Sequence, residues 1–346
     1  MTAVPARPAH VPLAVATRAD HVESVHFGSV AVVDADGRLL DGAGDPQAIV
    51  FTRSALKPLQ ALPFVRDGGP QRFGFTEPQV ALMCASHSGE PMHVAQVSEM
   101  LARAGNRVDD LGCGTHAPGH YEVRGEVPPR PPYSPLAHNC SGKHAGMLAA
   151  CTLHGHDKRD YLAFDHPVQR AIRDAVASVA AVDATTMTWG IDGCSAPNYA
   201  LPLASLAYAY ARLAAGDPAD APLRLLRDAM RAHPAMVSGT GRSDETLMRA
   251  GAGDWVAKIG AEGVQAFGAT RRGLGIAVKI ADGSRRALLP VLVSVLEQLR
   301  LVDGQQSDAL ERLRRPTLAN YRGTPTGSIV PVVRLDGRAA SGETLR

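Results

Sequence analysis

Ser54-Ala55-Leu56-Lys57 sets a hydroxyl and an amine three residues apart, which on a helix puts both on one face, a single turn from each other. Serine alone is a weak nucleophile near neutral pH, and lysine alone is a cation. A desolvated lysine that has given up its proton can take the serine's, and the two then form an acyl-transfer pair. Bringing a lysine from about 10.4 down to about 7–8 costs roughly 3–4 kcal/mol, so burial or a neighbouring cation is required. Phe51-Thr52-Arg53 comes just before, and a Leu56/Leu59/Leu62 stripe after it reads as the helix. The turn ahead of such a helix presents backbone N–H groups to a developing oxyanion.

Further constellations carry candidate chemistry. Cys84-Ala85-Ser86-His87-Ser88-Gly89-Glu90 follows a helical run and reads as a tight turn that presents polar side chains to a cleft. Helix capping by Ser86 and Ser88 is the plainer reading of the same residues. Lys258-Ile259-Gly260 ends a predicted strand, where Lys258 is either a site lysine or a solvated strand-end charge. Arg242-Ser243-Asp244 reads as a turn or a substrate-contact loop. His138-Asn139-Cys140-Ser141-Gly142-Lys143-His144 and Gly190-Ile191-Asp192-Gly193-Cys194-Ser195 each form a glycine-containing turn beside a helical run. Cys140 and Cys194, with Lys143, His144 and Asp192 near them in sequence, suit a thiophilic divalent ion, zinc first. There is no paired C-x-x-C, and the two cysteines also read as small buried apolar residues.

The elements that must position these residues follow from periodicity. Gly28–Asp34, the Asp36-Gly37 turn and Arg38–Leu40 predict a β-hairpin. Helical spacing then dominates: 77–83, 93–104, 142–153, 168–179, 201–214 and 221–232. Between them, Ala117–Ala137 carries six prolines and predicts a long extended loop. After Gly239 the pattern returns to strands at 255–259, 263–270 and 275–280. A second Asp-Gly turn leads to an extended 285–289 and a closing helix at 290–301. Strands at both ends with helices between them predict a mixed α/β (α+β) fold, an antiparallel sheet built from both chain ends with an inserted helical lobe. Regular β-α alternation, which a doubly wound parallel sheet needs, is absent. The whole chain, 1–346, reads as one domain, with a sheet lobe at about 20–55 and 240–335 and a helical lobe at about 56–239.

A net charge of +2 with dispersed Lys and Arg gives no reason to expect nucleic acid or an anionic membrane as partner. Met1–Pro12 lacks a signal-peptide pattern and no apolar run reaches spanning length, so a cytoplasmic address is expected. Five cysteines, an odd number, favour reduced thiols or metal ligands over disulfides.

The order of S-x-x-K, serine-rich turn and strand K-x-G is that of the serine β-lactamases and penicillin-binding proteins. Two departures stand out: Ser86-His87-Ser88 replaces Ser-Asp-Asn, and Ile259 stands where threonine is usual. Arg53–Pro58, Cys84–Glu90, Asn139–His144, Asp192–Cys194 and Lys258–Gly263 together resemble the L-asparaginase II family, the Rhizobium etli-type asparaginases, from about Gly28 to Val333. The resemblance implies hydrolysis of L-asparagine to L-aspartate and ammonia through an acyl-enzyme, a serine β-lactamase/glutaminase-like fold, a homodimer and a zinc ion near the site. It pairs Ser54 with Lys57 and Ser86 with Lys258 as catalytic residues. It also makes Cys140, Lys143 and Cys194 the zinc ligands, with Asp192 behind them. Arg242 and Asp244 fall in a Gly-Arg-x-Asp stretch and, with Arg53 and His144, are expected near the substrate. Other readings are a glutaminase, another serine amidase or β-lactamase-like hydrolase, or a catalytically silent amino-acid-binding protein.

Overall fold

The computed structural model describes residues 7–337, so both ends of the expected 1–346 domain, and the first residues of the Met1–Pro12 segment, lie outside it. Its centre is an eight-stranded sheet in which every pairing is antiparallel. The order runs Thr317–Ala319, Pro325–Pro331, Val11–Arg18, His21–Asp34, Leu274–Ile280, Val264–Ala269, Trp255–Gly260, with Leu39–Ala43 also paired to His21–Asp34. The sheet is therefore drawn from both chain ends and the helical lobe is inserted between them, as the pattern predicts.

Strands Trp255–Gly260 and Val264–Ala269 are buried at every position, so both faces of this part of the sheet are covered. Helix Leu203–Ala215 packs against the central strands. It comes unusually close because the strands offer glycines. A Cβ on Gly275 would lie 1.8 Å from the Ala207 carbonyl oxygen, and one on Gly268 would lie 2.7 Å from that of Tyr210. Helix Arg285–Gln298 packs on Leu274–Ile280, Val11–Arg18 and Pro325–Pro331. A second, three-stranded sheet joins Ile49–Phe51, Pro197–Pro202 and Trp189–Ile191, and this small sheet holds the turn that carries Ser54.

Several boundaries differ from expectation. Residues 285–289 are helical, not extended: the helix starts after Asp282, whose Oδ1 accepts from Ser284 N at 2.9 Å, and it accommodates Pro290 internally. Burial of Ala287, Leu288, Val291, Leu292 and Val295 along one stripe outweighs the proline signal. Leu201 and Pro202 end a strand, and the helix begins at Leu203. The proline-rich loop contains a short helix, His120–Arg124, and a 3-10 turn, Pro135–Ala137. Strands Val11–Arg18, Thr317–Ala319 and Pro325–Pro331 and helix Gly304–Arg314 were not expected. Among the described residues no helix is long and apolar enough to cross a membrane.

Candidate active site

Ser54 lies in a 3-10 turn, Arg53–Leu56, that runs directly into helix Lys57–Arg66. The preceding strand ends at Phe51. Thr52 then continues the ladder, with its N–H (3.1 Å) and its hydroxyl (2.9 Å) both donating to the Tyr199 carbonyl. Arg53 adopts a left-handed backbone (φ 50°), its N–H donating to Asn198 Oδ1 and its carbonyl accepting from Asn198 Nδ2, each at 3.0 Å. Ser54 is half-buried, and its hydroxyl makes no hydrogen bond among the described residues. The end of strand Trp255–Gly260 backs this turn, since a Cβ on Gly260 would come within 2.8 Å of the Thr52 carbonyl oxygen.

Both lysines are fully buried. Lys57 Nζ donates to Ser86 Oγ (3.0 Å), to Asn139 O (3.3 Å) and, more closely, to Ala85 O. These three acceptors match the three donors of an ammonium group. Lys258 Nζ donates to Ile259 O (2.8 Å) and sits 3.5 Å from Asp244 Oδ2. Burial lowers the Lys258 pKa to about 7. Asp244 opposes that shift, while the charges of Lys57 and Arg242 reinforce it. The structure thus hydrogen-bonds Lys57 to Ser86 and Lys258 to Asp244. Asp244 is itself fully buried, accepting from Ile259 N (2.9 Å) and Gln265 Nε2 (3.2 Å), which places it behind Lys258.

The turn bearing Ser86 is held from both sides. Ser86 N donates to Val237 O (2.9 Å) and His87 N to Asn139 O (3.2 Å). His87 Nδ1 accepts from Gly89 N (3.1 Å), so its proton is on Nε2, which donates to Ser141 Oγ (2.9 Å). Burial drives the His87 pKa well down, with nearby His93 and Lys57 adding to the shift. Arg242 donates to Ser86 O (3.0 Å) and Ser238 O (3.4 Å), and its remaining donors make no hydrogen bond among the described residues. A cleft of about 520 Å³ opens here, lined by His87, Asn139, Arg242, Ile259 and Arg285. Another of about 520 Å³ is lined by Arg53, Asp192, Asn198, Glu262 and Lys279.

The candidate metal donors also converge. Lys143 Nζ lies 3.0 Å from Cys194 Sγ, and the Cys140 thiol is close enough to Cys194 to interact with it electrostatically. That contact lowers the Cys194 pKa, although burial opposes it, and Lys143 lowers it further. Burial alone would lower the Lys143 pKa, but the two sulfurs raise it. Each of Lys143 and Cys194 thus favours the charged form of the other. His144 is fully buried, with Nδ1 2.6 Å from Tyr161 Oη and an Nε2 that has no geometric hydrogen-bond partner. Among the described residues no group of three or more His, Cys, Asp or Glu is placed to hold a metal, so a zinc ion here depends on Lys143 as its third donor. Two thiols and an amine, once deprotonated, are a donor set that zinc accepts. Asp192 Oδ1 takes the Arg53 Nε (2.9 Å) and Gly193 N (2.9 Å), which links the Cys194 turn to the Ser54 turn.

Sequence reasoning passed over Asn198 and Tyr161, and named Glu90 only as the end of the Cys84–Glu90 turn, with no role of its own. Asn198 had one legible sign, a lone carboxamide inside the otherwise apolar strand Pro197–Pro202.

The L-asparaginase II family model matches residues 14–331. The chain belongs to that family. Membership supports a hydrolase that acts on small-molecule amides. Among curated proteins none matches. Among solved structures, a β-lactamase from Mycobacterium bovis is similar at 15% identity and a TM-score of 0.41, over 78% of this chain and 94% of that one. Mglu in its glutamate form is similar at 17% identity and a TM-score of 0.34, over 79% of this chain and 61% of that one. Likenesses this loose carry no argument about function.

Proposed function

We propose that this L-asparaginase II family member hydrolyses L-asparagine to L-aspartate and ammonia through an acyl-enzyme on Ser54. The observation that carries this reading is the pair of fully buried lysines, one hydrogen-bonded to a serine and the other in the strand that backs the Ser54 turn. One binds the Ser86 hydroxyl at 3.0 Å, and the other titrates at about 7 against the turn that bears Ser54. Ser54 is the attacking group because its hydroxyl is free and half-exposed, whereas Ser86 is buried and engaged.

The neutral form of Lys258 takes the Ser54 proton as Oγ adds to the side-chain amide carbon. Ser86 gives its proton to the departing nitrogen and takes a replacement from Lys57, which donates to its hydroxyl, so ammonia rather than amide anion leaves and water later returns a proton to Lys57 through Ser86. Water then attacks the β-aspartyl ester by the same route in reverse, restoring Ser54. Arg242 has donors to spare for the substrate's α-carboxylate. Zinc, when held by Cys140, Lys143 and Cys194, would supply a fixed positive charge near the site. A homodimer belongs to the same proposal, and sedimentation equilibrium tests it.

Ammonia release from L-asparagine and L-glutamine, measured side by side, tests the substrate. Turnover of asparagine in preference to glutamine is the expected result. Turnover of glutamine alone would make the protein a glutaminase, and turnover of neither would favour a binding protein. Ser54→Ala should lower activity by about three orders of magnitude or more, about 4 kcal/mol, with the fold intact. Retention of more than about a tenth of the activity, a loss below about 1.4 kcal/mol, would pass the nucleophile's role to Ser86.

A further inference from the structure

We propose that Asn198 is the positioning residue of the nucleophile, its carboxamide clamping Arg53 in the left-handed conformation that turns Ser54 out of the strand. The inference rests on the reading of Ser54 as nucleophile and goes beyond it by naming what holds that serine in place.

Strand Ile49–Phe51 pairs with Pro197–Pro202 as far as Phe51 opposite Ala200, and Thr52 extends the ladder to Tyr199. At Arg53 the chain must leave the ladder, or Ser54 would continue along the strand instead of entering the helix. Leaving exposes one buried N–H and one buried C=O that have lost their strand partner. Asn198 Oδ1 accepts the first and Asn198 Nδ2 donates to the second, each at 3.0 Å. The side chain thus imitates the missing peptide, and because both contacts are made at once the amide orientation is fixed. Asn198 is itself only 2% exposed.

The conformation being held is an unfavourable one. Arg53 has a φ of 50° with a full side chain, a region that residues other than glycine avoid and that persists only when the surroundings enforce it. Two further contacts hold it: Arg53 Nε reaches Asp192 at 2.9 Å, and Gly260 presses on the turn from below. Neither fixes the Arg53 peptide groups. Without the carboxamide, Arg53 can relax to a negative φ, and the next residue in the chain, Ser54, rotates with it. The serine would still be present but aimed away from the amide carbon, so the acylation step suffers while substrate binding does not.

The test is a two-by-two set: wild type, Asn198→Ala, Arg53→Gly and the double variant. Each is read by its rate of labelling with a fluorophosphonate probe, by the labelled residue, by kcat and KM for L-asparagine, and by the thermal midpoint. Glycine takes a left-handed φ without steric cost, so it removes the need for a clamp. Asn198→Ala should slow labelling and kcat by about tenfold or more, with KM changed less than about twofold. In the Arg53→Gly background the same substitution should slow both by less than about threefold. Equal slowing in the two backgrounds would mean that Asn198 only supports the fold, and unchanged labelling in Asn198→Ala would also overturn the clamp. If Asn198→Ala does not fold, Asn198→Ser replaces it in both backgrounds with the same comparison. Labelling of wild type at a serine other than Ser54 would overturn the nucleophile reading itself, and the clamp with it, a result distinct from both of the others.

Discussion

At the scale of single residues, the proposed mechanism turns on the neutral form of one amine, Lys258. Lys258 lies fully buried in a strand that is itself buried throughout, and its neighbours include two further cations, Lys57 and Arg242. Burial and like charge push its pKa down to about 7 against the pull of Asp244. The amine accepts a proton only when neutral, so activity should rise with pH through a limb centred near 7. The neutral fraction is about a tenth at pH 6 and about nine-tenths at pH 8. A kcat–pH profile of a chemistry-limited assay checks this, and a flat profile between about pH 6 and 8 would remove Lys258 as the base. Lys258→Arg keeps a cation but cannot deprotonate, and it should lose about 10²–10⁴ in rate together with the limb. The sequence named both lysines and both serines, and the resemblance paired Ser54 with Lys57 and Ser86 with Lys258, whereas the described structure hydrogen-bonds Lys57 to Ser86 and Lys258 to Asp244. Spacing fixes where a lysine's Cα lies on the helix, yet its long side chain follows its acceptors. Those of Lys57 are Ala85 O, Ser86 Oγ and Asn139 O, all distant in sequence.

At the scale of elements, two turns meet to form the wall of the site, and Glu90 joins them. Its carboxylate accepts from Ser88 Oγ (2.6 Å), Thr240 N (2.9 Å) and Thr240 Oγ1 (2.9 Å), tying the turn at 86–90 to the one at 239–241. The fit leaves no room: Gly239, at φ 111°, would bring a Cβ within 2.0 Å of Ser88 Oγ. Burial alone would raise the Glu90 pKa, but the hydrogen bonds from Ser88 and Thr240 outweigh it and lower the pKa. A lowered carboxylate pKa adds stability that is present above its ordinary value and is lost as pH falls through the folded one. Glu90→Gln replaces one acceptor oxygen by a donor facing other donors, and should cost about 1–3 kcal/mol in urea denaturation at neutral pH. An unchanged midpoint would mean that the turns are held by backbone contacts alone. Elements with strong local signals were legible: the 77–83 helix has its capping residue Thr76, and strands 255–260 and 264–269 meet at a glycine turn. Residues 285–289 were not legible, because their helix is decided by the sheet beneath them and a proline in the sequence argues the other way.

At the scale of the whole molecule, helix and sheet approach through Gly268 and Gly275, and a small three-stranded sheet holds the turn that carries Ser54. The overall plan was legible because hairpins are local. The outer strands at 11–18 and 325–331 were not, since their pairing joins the two ends of the chain. One further connection crosses this plan. Lys143 on helix Ser141–His154 meets Cys194, whose turn also holds Asp192, and Asp192 holds Arg53 beside Ser54. A metal on Cys140, Lys143 and Cys194 would bind the folded chain far better than the unfolded one, because only folding brings residues 140 and 194 together. Protein purified without chelator should then carry about one zinc per chain by elemental analysis, and Cys140→Ser or Cys194→Ser should lose it. Zinc at about 100 times its dissociation constant adds about 2.7 kcal/mol to unfolding, so its removal by a chelator should lower wild-type stability by about that amount. The same chelator should leave Cys194→Ser unchanged. Metal well below one per chain, with stability indifferent to chelator, would make these cysteines ordinary buried thiols. The Lys143–Cys194 hydrogen bond and the Arg53–Asp192 contact would then be what couples helix Ser141–His154 to the Ser54 turn.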